Sequence, residues 1–63
     1  MPFVTIKMIQ GRNIEQKRGM VKDITDAIVK NIGCPPAAVH IDIVEYTREH
    51  IADAGTLMCD QKR

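Results

Sequence analysis

Pro2 directly follows Met1. Removal of the initiator methionine before so small a residue would leave a secondary amine on a rigid ring. A free α-amino group titrates at about pH 8. Partial burial or a neighbouring cation disfavours its charged form and lowers that value. Such a nitrogen is a workable general base, and the ring fixes its direction. With Met1 in place, the same nitrogen is an amide and cannot act as a base. A proline at the first position of a strand is also an ordinary structural choice.

Three further groups carry chemical possibilities. Arg12, beside Gly11, has the planar fork that suits a carboxylate, although a solvated turn arginine looks the same. His40 could donate a hydrogen bond to a ligand oxygen or titrate near neutral pH, or serve as an interface histidine. Cys34, His40, His50 and Cys59 contain neither a Cys-x-x-Cys pair nor a helical histidine pair. No metal site is therefore expected from them, and the thiols read as buried or inert. His50 reads as exposed.

These residues need elements to position them. From Pro2 to Ile9, Val4, Ile6 and Met8 alternate with Phe3, Thr5, Lys7 and Ile9, the period of a strand. Gln10-Gly11-Arg12 breaks it. Asn13 is a good N-cap, with Gln16 at the capping-box spacing. Ile14, Met20, Val21, Ile24, Ala27, Ile28 and Ile32 then recur as one apolar helical stripe. Glu15, Lys17, Arg18, Lys22, Asp26 and Lys30 fall mostly elsewhere, and Asp26 with Lys30 reads as a solvated pair. Gly19 weakens the helix or admits a close neighbour. The helix ends by Gly33, before Cys34-Pro35-Pro36. A second strand runs from Val39 to Tyr46, with Val39, Ile41 and Ile43 on one face and His40, Asp42, Val44 and Tyr46 on the other. Residues 47–54 read as a loop or short helical turn, Gly55 as a turn, 56–59 as a short strand and 60–63 as a polar end.

A helix of ~18 residues is ~27 Å long, enough to carry the chain back along a strand of ~26 Å. The expected fold is α/β: one βαβ unit with parallel strands and a right-handed crossover, a single domain over residues 1–63. At 63 residues such a chain buries only about 60% of its unfolded surface. One helix covers one sheet face, whereas parallel strands normally need cover on both. Phe3, Ile9, Val44 and Tyr46 point to the bare face, so a homo-oligomer is expected. The net charge of +1 is not the basic footprint of a nucleic-acid binder. No apolar run approaches the ~20 residues of a membrane span, and no secretory signal is visible. Two cysteines do not make a disulfide framework, so a reducing cytoplasm is the expected compartment.

The start Pro2-Phe3-Val4-Thr5-Ile6-Lys7-Met8 and the stretch Gly11-Arg12-Asn13-Ile14-Glu15-Gln16-Lys17-Arg18 resemble the opening of the 4-oxalocrotonate tautomerase family, and the length matches end to end. The resemblance implies a βαβ fold assembled as a homohexamer, a trimer of dimers, in the cytoplasm. It implies a cofactor-independent tautomerase acting on a small carboxylate or enol substrate, an unsaturated 2-oxo acid. Pro2 matches the amino-terminal general base, and Arg12 an arginine that holds a substrate carboxylate. Ile9 matches a position whose backbone orients the substrate through water. Two positions depart. His40 stands where well-studied members place a second arginine that polarises the 2-oxo group, and Ile51 stands where they have a phenylalanine lining the pocket. A neutral histidine carries no fixed charge and stabilises a developing dienolate less well, which points to a smaller or mono-acid substrate.

Two rival readings remain open on the residues. A proline kept protonated would act as an acid, as in the dehalogenases and hydratases of the superfamily, with Asp42 or Glu45 as candidate water-activating carboxylates. A chain that keeps Met1 would be an oligomeric binding module without turnover.

Overall fold

The computed structural model describes residues 1–61. β1 (Phe3–Ile9) leads into α1 (Ile14–Ile32), which returns the chain to β2 (His40–Tyr46). A small hairpin of β3 (Ala52–Asp53) and β4 (Thr56–Leu57) follows. Single 3-10 turns at Pro36–Ala38, Arg48–His50 and Met58–Asp60 link or close these elements. The expected polar end at 60–63 falls partly outside the described residues.

β1 and β2 are parallel and paired without a slip, from Phe3 opposite His40 to Ile9 opposite Tyr46. The ladder extends one step beyond each end. His40 N–H donates to the Pro2 carbonyl at 3.0 Å, and Gln10 N–H to the Tyr46 carbonyl at 2.9 Å. The βαβ expectation therefore holds.

The helix begins where its cap requires. The Asn13 side chain accepts from Gln16 N–H at 2.8 Å, and the Gln16 side chain accepts from Asn13 N–H at 3.0 Å. That reciprocal pair satisfies two of the otherwise unpaired first-turn donors. The end is set by Gly33 at φ +82, whose N–H donates to the Val29 carbonyl, a left-handed cap that glycine adopts without a Cβ clash.

The inner helix face runs through Lys17, Met20, Val21, Ile24, Thr25, Ile28 and Val29, all half-buried. It lies on the sheet face that carries Met8 and Glu45, where Met20 shares a notch with Met8 and Lys17 reaches Glu45. Ile14 and Ile32, expected in the apolar stripe, are instead 59% and 65% exposed. A helix of 19 residues spans ~28 Å, whereas strands of seven residues span ~23 Å, so its ends overhang the sheet. Gly19 has no neighbour within 4 Å of where a Cβ would sit. It admits no close contact within the protomer.

The other sheet face has no comparable cover. Phe3 is 71% exposed there, and no described side chain is fully buried. The radius of gyration is 15.2 Å, against about 10.6 Å for a compact globule of this length. No helix among the described residues is long and apolar enough to cross a membrane.

After β2 the expectation holds in part: Arg48–His50 is a short helical turn, Gly55 a turn residue and Thr56–Leu57 a short strand. Ala52 and Asp53 pair with Leu57 and Thr56 in an antiparallel hairpin, and Met58–Asp60 turns instead of extending the strand. The connecting residues Ala54 and Gly55 both have positive φ, +52 and +82, as a two-residue type I′ hairpin turn demands. Gln61 braces the hairpin by donating to the Thr56 carbonyl and the Asp53 carboxylate.

Candidate functional site

The candidate residues fall at the two ends of one parallel ladder. Pro2 and His40 share the end where the strands begin, joined by the His40 N–H to Pro2 carbonyl bond. That bond uses the proline's carbonyl and leaves its nitrogen outside the ladder. The His40 ring lies against Phe3, with centroids 5.4 Å apart and planes tilted by 54°. Ile9 and Arg12 stand at the opposite end, where β1 runs out. Ile51 follows the turn that leaves β2 at that same end, and its carbonyl accepts from Met58 N–H at 2.8 Å.

β1 alone separates Pro2 from Arg12 by seven residues, ~23 Å of extended chain. One protomer therefore does not bring its own Pro2 and Arg12 together. Parallel strands cause this directly: both strands begin at one end of the sheet and finish at the other.

Arg12 takes part in none of the described ion pairs. It lines a notch of about 190 Å³ together with Met8, Gln16, Lys17 and Met20. Two flexible thioether side chains thus meet two cations and an amide. Lys17 was expected among the outward helix charges. It is instead half-buried, and its ammonium sits 2.6 Å from the Glu45 carboxylate on β2. Its stem covers apolar surface while its charged end reaches a partner, which a count of polar and apolar positions does not reveal.

The two carboxylates considered for water activation are both engaged, on opposite faces. Glu45 faces the helix and holds Lys17, while Asp42 accepts from the Thr5 hydroxyl at 2.9 Å. Four other helix charges pair on the outer surface. Arg18 bonds Glu15, and Lys22 meets Asp26 at 2.9 Å. Lys22 is held above the ordinary lysine value by its hydrogen bond to Asp26 and then by the charge of that group. Lys30 does not join Asp26 in the described pairs.

A second groove, beside the hairpin, is lined by Ile9, Gln10, Thr47, Arg48, Glu49 and Cys59. Cys59 is exposed and Cys34 half-buried, so burial, one half of the expectation of buried or inert thiols, does not describe Cys59. His50 is exposed, as expected, and its ring bonds the Thr47 hydroxyl. No three His, Cys, Asp or Glu side chains among the described residues converge to hold a metal.

Comparison with known proteins meets this geometry. The family described as Tautomerase enzyme matches residues 2–61. The 2-hydroxymuconate tautomerase of Bacillus subtilis is 37% identical over 62 residues, covering 98% of this chain and 100% of that protein. The crystal structure of YwhB, a homologue of 4-oxalocrotonate tautomerase, superposes with a TM-score of 0.91 at 36% identity, covering 97% of this chain and 100% of that one. A heterohexamer 4-oxalocrotonate tautomerase from Chloroflexus aurantiacus gives 0.88 at 27% identity, over 98% and 100% of the two chains. A βαβ unit headed by Pro2 and matched along nearly its whole length in both sequence and shape leaves one assignment: the chain belongs to the tautomerase family.

Proposed function

We propose that Pro2, freed by removal of Met1, is the general base of a cofactor-independent tautomerase acting on enol or unsaturated 2-oxo acids. The observation that carries this reading is the attachment of Pro2. Its carbonyl is held by His40 N–H at the head of β1, so a released ring nitrogen keeps one direction. The nitrogen takes the proton of a 2-hydroxydienoate, negative charge spreads along the dienolate, and the proton returns to the distal carbon. The product is the conjugated 2-oxo acid, with no net loss of atoms or electrons.

Arg12 holds a substrate carboxylate in this reading. Because Pro2 and Arg12 lie at opposite ends of β1, the working site combines Pro2 of one copy with Arg12 of another. The uncovered sheet face with Phe3 exposed and the extended protomer support a homo-oligomer, and we propose a homohexamer. The backbone at Ile9 orients the substrate, and Ile51 forms part of the apolar wall. His40 donates one hydrogen bond where a fixed cation would otherwise polarise the 2-oxo group, which favours a smaller or mono-acid substrate.

Asp42 is bonded to Thr5 and Glu45 to Lys17, so each carboxylate already has a structural partner, which supports proton transfer over hydration or dehalogenation. The test begins with mass spectrometry of the mature amino terminus. Ketonisation of a 2-hydroxydienoate by the wild type and by Pro2→Ala follows. A loss of about 10²–10⁴ in rate is expected for removal of a positioned base. Equal rates in the two proteins overturn the assignment of Pro2.

A further inference from the structure

Lys17 is engaged on one side only. A lysine ammonium has three donors, and the bond to Glu45 at 2.6 Å uses one. Lys17 also lines the notch that Arg12 lines, together with Met8, Gln16 and Met20. At about 190 Å³ the notch is well beyond the size that a single water needs. That suits a carboxylate with a short carbon chain. Met8 and Met20 offer adaptable apolar contact to such a chain, while the two cations meet its head.

We propose that Lys17 is a second carboxylate-binding residue, so that the notch grips one carboxylate between the Arg12 guanidinium and the Lys17 ammonium, with Glu45 positioning that ammonium. The proposal rests on the reading of Arg12 as the carboxylate clamp. Glu45 has two effects here. It restrains the long lysine side chain before the ligand arrives, which lowers the ordering cost of binding. It also balances one positive charge, so the notch keeps a net charge of about one, matched to a single carboxylate. Arg12, without an ion-pair partner among the described residues, supplies that uncompensated charge.

The test uses the assembled protein with Met1 removed, titrated by hexanoate and by hexanamide and followed by amide chemical shifts. These probes share a chain and differ in charge. The wild type is expected to prefer hexanoate. Lys17→Gln lowers hexanoate affinity about tenfold, the loss of one charge-assisted hydrogen bond, and leaves hexanamide unchanged. Lys17→Arg keeps the charge and stays within about threefold of the wild type. Glu45→Gln breaks the ion pair but keeps the ammonium, so its loss is also no more than about threefold.

A purely structural ion pair predicts equal losses for Lys17→Gln and Glu45→Gln, and that result overturns the proposal. Unchanged hexanoate binding in Lys17→Gln, or a wild type blind to the difference between the probes, overturns it as well. Arg12→Ala separates the two levels of the argument. Unchanged binding there sinks the clamp reading itself, whereas weakened binding there with none lost in Lys17→Gln sinks only the role of Lys17.

Discussion

His40 holds Pro2 through the backbone, its N–H donating to the proline carbonyl at 3.0 Å. The imidazole is not part of that link and lies instead against the Phe3 ring. Side-chain replacement at position 40 should therefore leave the placement of Pro2 intact and change only what the side chain offers a substrate. His40→Arg is expected to raise kcat/KM for a 2-hydroxydienoate about tenfold or more, because a permanently charged fork replaces an imidazole. Steady-state kinetics of the two proteins, with circular dichroism to confirm an unchanged fold, checks this.

The sign of the pH dependence distinguishes a base from an acid. If Pro2 works as a neutral amine, kcat/KM rises with pH through the amine's titration, at or below about pH 8. A proline working as an acid gives a fall over the same range. A pH–rate profile of the protein freed of Met1, with Pro2→Ala as baseline, reads the direction.

Arg12→Ala should raise KM about tenfold with a smaller change in kcat, since one charge-assisted contact to the substrate carboxylate is lost. Initial-rate measurements over a range of substrate concentration separate the two constants.

Phe3 is 71% exposed in the protomer. If that ring is buried between copies, each contributes about 1.5–3 kcal/mol of apolar burial to assembly. Phe3→Asp should then shift the protein to lower-mass species in sedimentation velocity. An unchanged sedimentation coefficient would show that this face is not the seam.

The capping box at Asn13 and Gln16 gives a stability prediction independent of the chemistry. Asn13→Ala should cost about 1 kcal/mol, visible as a lower midpoint in urea unfolding at fixed protein concentration. Asn13→Ser, which keeps a side-chain acceptor, should recover most of it.

Period and punctuation are local properties, and the elements they specify are where the sequence placed them. The alternation from Phe3 to Ile9, the cap at Asn13, the stop at Gly33 and the second strand ending at Tyr46 are all observed. The hairpin was less legible because its turn uses Ala54 at φ +52, a conformation that alanine seldom signals. Periodicity places Lys17 among the outward charges because it records polarity by position, whereas a long side chain can lie along the sheet and pair with Glu45 at 2.6 Å. Ile14 and Ile32 looked like stripe residues because the stripe does not state where the sheet ends.

The sequence by itself determined a βαβ unit, one sheet face short of cover, and a set of reactive residues given roles by their resemblance to a family. Only the tertiary structure decided which of those residues share a place. Parallel pairing sets Pro2 beside His40 and carries Arg12 to the far end of the same strand. It also sets Glu45 opposite Met8, within reach of Lys17. The physical reason is direction. Strand period fixes which face a side chain occupies, but the end it occupies depends on how the helix returns the chain, and that is settled only when the two strands pair.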